Sequence, residues 1–206
     1  MAFKLISRIR KQLIEVENEG LFLIKPSISH YEKWLAARSQ SAAFLKPWEP
    51  RWPDDDLSPL GFRRRLTAYE RQRQSGWGKT FFLFDNHTDE LMGGVSLTRI
   101  SQGPNKSATL GYWMSVHHAG KGVMQKTVPA VLNFAFSSLG LKRVEAACLP
   151  SNAASLRVLE KTGFRREGFA KEYLEINGKR EDHVLFAALA GDQIRAHSSG
   201  SIPKWN

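Results

Sequence analysis

Apolar and polar positions along the chain change period several times, and each change marks an element. Leu21–Lys25 is a short apolar run stopped by Pro26 and reads as a strand. Ser27 or Ser29 can cap the next element, a helix running through Tyr31, Trp34, Leu35 and Arg38. From Leu57 to Gln74 helical spacing returns, with Phe62, Leu66 and Tyr69 on one side, until Gly76 and Gly78 end it. Thr80–Phe84 and Leu91–Ile100 are strand-like around the polar turn Asp85–Glu90, which predicts an antiparallel hairpin. Gly93 and Gly94 inside its second arm point to a bulge or a close backbone approach. Thr109–Val116 alternates and is rich in Tyr, Trp and Val, as a half-buried strand does. After a glycine-bearing turn, Val123, Thr127, Val128, Val131, Leu132, Ala135 and Phe136 recur at three- and four-residue steps, one face of a helix of about four turns. Val144–Leu149 reads as a buried strand, and Ser151 or Asn152 can cap a short helix that Gly163 stops. Arg166–Ile176 and Arg180–Leu189 flank Asn177-Gly178, a strong hairpin signal. This order predicts a mixed α/β (α+β) domain over 21–190, with about six or seven strands and flanking helices.

Three stretches stand outside the periodic elements. Phe44–Pro59, FLKPWEPRWPDDDLSP, has four prolines and cannot be one regular element. Its two tryptophans argue for an ordered loop, with Trp48 and Trp52 either walling a substrate site or packing on the core. Residues 1–20 carry Phe3, Ile6, Ile9 and Leu13 beside Lys4, Arg8, Arg10 and Lys11, which reads as an N-terminal arm or helix, or as a membrane-surface segment. Residues 191–206 show no periodicity and read as a loose tail.

Length and composition narrow the class. The 206 residues, 42% of them hydrophobic, suffice for one good core. Apolar runs are too short for a membrane span, and charges interrupt any signal-like core before Leu13, so a soluble, unexported protein is expected. The single cysteine, Cys148, lies in an apolar run; no disulfide framework exists, and a buried thiol fits a reducing cytoplasm. A formal charge of +10 favours a polyanionic partner or ligand: nucleic acid, the ribosome or a phosphate-rich cofactor.

The turn His117-His118-Ala119-Gly120-Lys121-Gly122 holds the candidate chemistry. A strand, a G-x-G turn and a helix start point backbone N–H groups and the positive end of a helix dipole at one spot, suited to a phosphate or pyrophosphate. The same pattern also serves as plain strand-to-helix punctuation. His117 and His118 are not read as metal ligands, because adjacent side chains in an extended turn point apart and no cysteine or carboxylate cluster accompanies them.

The whole series, with strand, G-x-G turn and long helix, then strand, Asn-x-x-Ser helix, Gly-Phe and closing hairpin, resembles the GNAT N-acetyltransferases, and within them the RimJ/RimL group that acetylates ribosomal-protein N-termini. The words FLKPWEP at Phe44–Pro50, GKGVM at Gly120–Met124, PSNAAS at Pro150–Ser155 and GFRREGFAKEYLEINGKREDH at Gly163–His183 carry the resemblance. Ala119 and Met124 depart from the superfamily's general turn signature. The resemblance implies a mostly antiparallel sheet with splayed central strands and acetyl-CoA as cosubstrate, without a metal. It implies that Gly120, Lys121, Gly122, Val123 and Met124 hold the CoA pyrophosphate, that the strand end from Met114 to Val116 offers backbone groups to the pantetheine arm, and that Asn152 hydrogen-bonds that arm. Ser155 maps onto the group proposed to protonate the leaving thiolate. For the base, the resemblance points to a strand position occupied here by Leu174; Glu172, two residues back on the same face of a regular strand, is the candidate, with Glu175 and Asp182 as rivals. A backbone N–H near Val116 can stabilise the tetrahedral oxyanion. The implied acceptor is the N-terminal α-amine of a ribosomal protein, with no membrane partner and no sequence-specific nucleic-acid binding. The alternatives are a small amine such as a polyamine or antibiotic, or a non-catalytic ribosome- or RNA-binding module on the same fold.

Overall fold

Period-two alternation puts Phe81 and Leu83 on one face of a strand and Phe82 and Phe84 on the other, and all four are buried in the computed structural model, which describes residues 13–16 and 20–192. A strand buried on both faces must lie inside a layered fold. The strands are β1 Leu13–Val16, β2 Leu21–Ile24, β3 Lys79–Asp85, β4 Leu91–Ser101, β5 Ser107–Met114, β6 Arg143–Cys148, β7 Arg165–Ile176 and β8 Lys179–Leu189. They form one eight-stranded sheet in the order β1-β2-β3-β4-β5-β6-β8-β7. Every neighbouring pair is antiparallel except β5 with β6.

Helices cover both faces: α1 Tyr31–Gln40, α2 Pro59–Gln74, α3 Val123–Asn133 and α4 Ala153–Lys161. On one face Val128, Val131 and Leu132 of α3 and Leu159 of α4 meet Leu23, Leu83, Val95, Leu97, Val144 and Phe186. On the other, Trp34 of α1 and Phe62 of α2 meet Phe82, Phe84 and Leu91. Each fully buried side chain of this size contributes about 1.5–3 kcal/mol relative to exposure, so β3 is anchored from both sides. No helix among the described residues is long and apolar enough to cross a membrane.

The fold is the expected mixed α/β one, and four local features differ from the sequence expectation. The sheet has eight strands, because Leu13–Val16 pairs antiparallel with β2 instead of continuing a helix. Val16 is buried, and the open edge of β2 offers hydrogen bonds that outweigh the weak helical spacing of Ile9 and Leu13. Residues 1–12 and 17–19 of the proposed arm and nearly all of the 191–206 tail lie outside the described residues. The proline-rich stretch enters through a helical turn, Ala42–Leu45, and a 3-10 turn, Lys46–Trp48, before its irregular part. α3 contains Pro129 and passes at Asn133 into a π-turn, Phe134–Ser138. β5 stops at Met114, because the Ser115 N–H turns to the Met92 carbonyl at 2.8 Å and that of Val116 to Ser41 Oγ at 2.9 Å.

The glycine pair of β4 is a close approach. A Cβ at Gly93 would lie 2.4 Å from the Trp113 carbonyl oxygen, and one at Gly94 2.4 Å from Trp113 Nε1. The missing side chains let the Trp113 ring lie down on β4.

Candidate active site

β5 and β6 pair only from Ser107↔Arg143 to Thr109↔Glu145. Beyond Thr109 the two strands separate, and a cavity of about 350 Å³ opens between Leu110–Met114 of β5 and Ala146–Cys148 of β6. Strand edges that part company leave backbone N–H and C=O groups without sheet partners, which an extended amide-bearing ligand can satisfy. The other walls are the turn and first residues of α3, the Asn152 and Ser155 side of α4, the loop residues Phe44, Trp48 and Glu49, and His183.

At one end of the cavity the chain turns through Gly120 and Gly122, whose φ angles of 74° and 76° lie in the left-handed region that glycine enters without penalty. The first bond into α3 from the turn is Lys126 N–H to the Gly122 carbonyl, at 3.2 Å. The backbone N–H groups from Gly120 to Gln125 make no hydrogen bond within the described chain. Unpartnered amides at the start of α3 form a cradle for an anion, and a Cβ added at Gly120 or Gly122 would meet no atom within 4 Å. Gly120, Gly122, Val123 and Met124 line the cavity; Lys121 is exposed and does not.

On the facing side Asn152 caps α4, its Oδ1 accepting the Ser155 N–H at 3.0 Å. The cap leaves the Asn152 amide nitrogen for a ligand. Ser155 Oγ is 2.7 Å from the Tyr112 hydroxyl, which also lies 3.3 Å from the Ser155 carbonyl oxygen. Burial pushes the Tyr112 phenol well above its ordinary value, so it stays protonated, and when it donates to Oγ the serine proton is free for a group in the cavity. Cys148, also on the wall, is likewise raised by burial and remains a neutral thiol.

The proline-rich loop is latched. Arg38, 3% exposed, gives two parallel hydrogen bonds to Glu49, at 2.7 and 2.6 Å, and lies between the rings of Trp52 at 4.1 Å and Trp113 at 5.0 Å. Trp52 Nε1 donates to Glu49 Oε2 at 2.7 Å, and the Asn177 N–H donates to the Glu49 carbonyl at 2.9 Å, tying the loop to the β7–β8 hairpin. Trp48 therefore walls the cavity while Trp52 packs on Arg38.

The structure brings Met114, Gly120, Gly122, Val123, Met124, Asn152 and Ser155 to one cavity. Three candidates fall elsewhere. Val116 is 37% exposed, does not line the cavity, and spends its N–H on Ser41, so the oxyanion contact drawn there is not available from that group. Lys121 lies on the outer side of the turn. Glu172 is exposed at a bulge, with φ of 47° and its N–H bonded to Asp182 Oδ1 at 2.8 Å. The register shift between Ala170 and Leu174 ends the plain alternation that had grouped Glu172 with Leu174. Neither Glu175 nor Asp182 lines the cavity. His117 Nε2 meets Gln40 Oε1 and His118 Nε2 meets Glu90 Oε1, so both histidines hold the turn against its neighbours. No metal-ligating cluster exists among the described residues.

Tyr112, Glu49, Arg38 and His183 are the site residues that sequence reasoning passed over. Glu49 and His183 carried a signal, inside the FLKPWEP word and at the end of the REDH word; Tyr112 and Arg38 look like ordinary strand and helix residues.

Comparison with known proteins agrees with this geometry. The family described as Acetyltransferase (GNAT) domain matches residues 21–165. The chain is 36% identical over 177 residues to the probable N-acetyltransferase YjcK of Bacillus subtilis, covering 86% of this chain and 98% of that protein. It is 32% identical over 154 residues to the [ribosomal protein uS5]-alanine N-acetyltransferase of Escherichia coli, covering 75% and 79% of the two chains. Among solved structures, Mycobacterium smegmatis RimJ in complex with CoA-disulfide matches with a TM-score of 0.80 at 26% identity, over 87% of this chain and 89% of that one.

Proposed function

Because the chain belongs to the GNAT family and is an acetyl-CoA-dependent N-acetyltransferase, we propose that its acceptor is the N-terminal α-amine of a protein, specifically a ribosomal protein, acetylated by direct attack on the thioester. The observation that carries the cofactor side is the separation of β5 from β6, running into the unpartnered amides of Gly120–Gln125. The acceptor reading is supported by the name of the Escherichia coli relative and by the +10 charge, which favours encounter with a polyanionic ribosome. A ribosomal acceptor makes the cytoplasm the site of action.

The cavity residues divide the work. Amides of Gly120, Lys121, Gly122, Val123 and Met124 bind pyrophosphate, the free edge of β5 near Met114 orients the pantetheine arm, and the Asn152 amide nitrogen donates to it. Acetyl-CoA supplies an acyl group already joined to a good leaving group. Ser155, held by Tyr112, gives its proton to the departing sulfur.

Acetyl transfer to peptides beginning with Ala or Ser, run beside the same peptides with blocked N-termini and beside spermidine, tests the acceptor. Transfer confined to free peptide N-termini is expected, with Ser155→Ala slower by on the order of 10²-fold at nearly unchanged acetyl-CoA affinity. Acetylation of spermidine but of no peptide would refute the acceptor, and absence of acetyl-CoA binding at millimolar concentration would refute the cofactor reading.

A further inference from the structure

We propose that His183 is the base of the reaction and that its Nε2 takes the proton of the acceptor amine. His183 lies on β8, one residue past the last β6 pair, Cys148↔Val184, and so at the carboxyl end of β6, where the cleft opens. It is 3% exposed and lines the cavity. Its Nδ1 is 2.9 Å from the Glu181 carbonyl oxygen. A carbonyl can only accept, so the ring proton is on Nδ1, and Nε2 of the neutral ring carries a bare lone pair. Nε2 makes no hydrogen bond within the described residues and is not among the sealed, unsatisfied buried atoms. The Tyr173 ring meets the imidazole edge-on, with centroids 5.7 Å apart, and fixes its plane.

The other titratable groups on the cavity wall are protonated or committed to neighbours. Tyr112 stays a phenol and Cys148 a thiol, both raised by burial. Glu49 is held face to face with the Arg38 guanidinium through both oxygens and also accepts from Trp52, Arg157 is a cation, and His118 is bonded to Glu90. Glu181 and Asp182 precede His183 on β8, and Tyr173 of β7 lies against the ring. Asp182 gives its Oδ1 to the Glu172 N–H.

The step balances. The acceptor enters as an ammonium and gives one proton to Nε2, which later releases it to water. The freed lone pair forms the N–C bond to the acetyl carbon as the C–S bond breaks. The sulfur receives the Ser155 proton, and the second proton lost by the nitrogen restores the serine hydroxyl. The products are the amide, the thiol and one proton in solution.

This assignment rests on reading the cavity as an acetyl-transfer site, and the experiment separates the two. His183→Asn keeps an amide N–H for the Glu181 carbonyl but has no base; His183→Gln is the companion should the first variant fold poorly. The expected result is unchanged acetyl-CoA affinity, kcat/KM for an Ala-initiated peptide lower by on the order of 10²-fold, and loss of the acidic limb of its pH profile. Parent-like kcat/KM with the acidic limb intact would overturn the role of His183 alone, whereas absence of transfer by the parent would sink both readings. A second measurement needs no turnover: long-range proton–nitrogen correlation spectra of the parent, with His183 assigned by its loss in His183→Gln, should show the Nδ1–H tautomer and an Nε2 signal that moves when the peptide binds. An Nε2–H tautomer would overturn the proposal.

Discussion

Gly122→Val isolates the anion cradle. Gly122 has φ of 76°, so any other residue there adopts the left-handed region at about 1–2 kcal/mol. For a chain of this size that corresponds to a melting temperature lower by roughly 2–8 °C. Folding should suffer no more, because an added Cβ meets nothing within 4 Å. That open space is where an anion must come to reach the unpartnered amides of Gly120–Gln125, and a branched side chain would fill it. Losing one hydrogen bond to a charged group removes roughly 1.5–3 kcal/mol, so acetyl-CoA affinity should fall by on the order of 10- to 100-fold. Gly140→Val is the control. Its φ is 67°, it too has nothing within 4 Å, and it does not line the cavity, so it carries the strain without the blockage. Calorimetric titration of both variants with acetyl-CoA, beside their melting curves, gives the answer. If Gly122→Val binds no more weakly than Gly140→Val, the cradle is not where the pyrophosphate sits.

Two further outcomes follow from the site. Arg38→Met should lower stability by about 3–5 kcal/mol in urea unfolding, because it strands Glu49 beside a ring cluster, and adding Glu49→Leu should recover much of the loss; a deficit under about 1 kcal/mol would mean the pair behaves as a surface one. Burial holds the Tyr112 phenol above its ordinary 10.0, so as pH rises past that value the unfolded chain releases a proton the folded chain keeps. Stability is therefore full below pH 10.0 and lost above it, and Tyr112→Phe should flatten that alkaline fall in denaturation midpoints; an unchanged slope would refute the buried, protonated phenol.

Local sequence determined the elements and the ligand-facing turn, because the signals involved are short-range. The apolar run Thr80–Phe84 before its polar turn, the three- and four-residue steps from Val123, the Asn152 cap and the Asn177-Gly178 turn each act within a few residues, and each appears where its chemistry demands. Gly120 and Gly122 were legible for the same reason: freedom to enter the left-handed region is a property of glycine itself. Pairing across the chain was not legible. Leu13–Val16 became a strand only because β2 presented an open edge, and the bulge that carries Glu172 out to solvent depends on how β7 registers against β8. The Val116 N–H looked free until α1 brought Ser41 to it, across 75 positions of sequence. Tyr112 met Ser155 across 43 positions, and Arg38 met Glu49 only after the proline-rich loop folded back. His183 could be read as the end of a word in the sequence, but not as a bare lone pair. That required the Glu181 carbonyl to fix its tautomer and the separation of β5 from β6 to open a cavity that His183 lines. Backbone preference is decided within a turn or two of chain, whereas proton position and access to a ligand are set by whichever distant groups the tertiary fold brings within hydrogen-bonding distance.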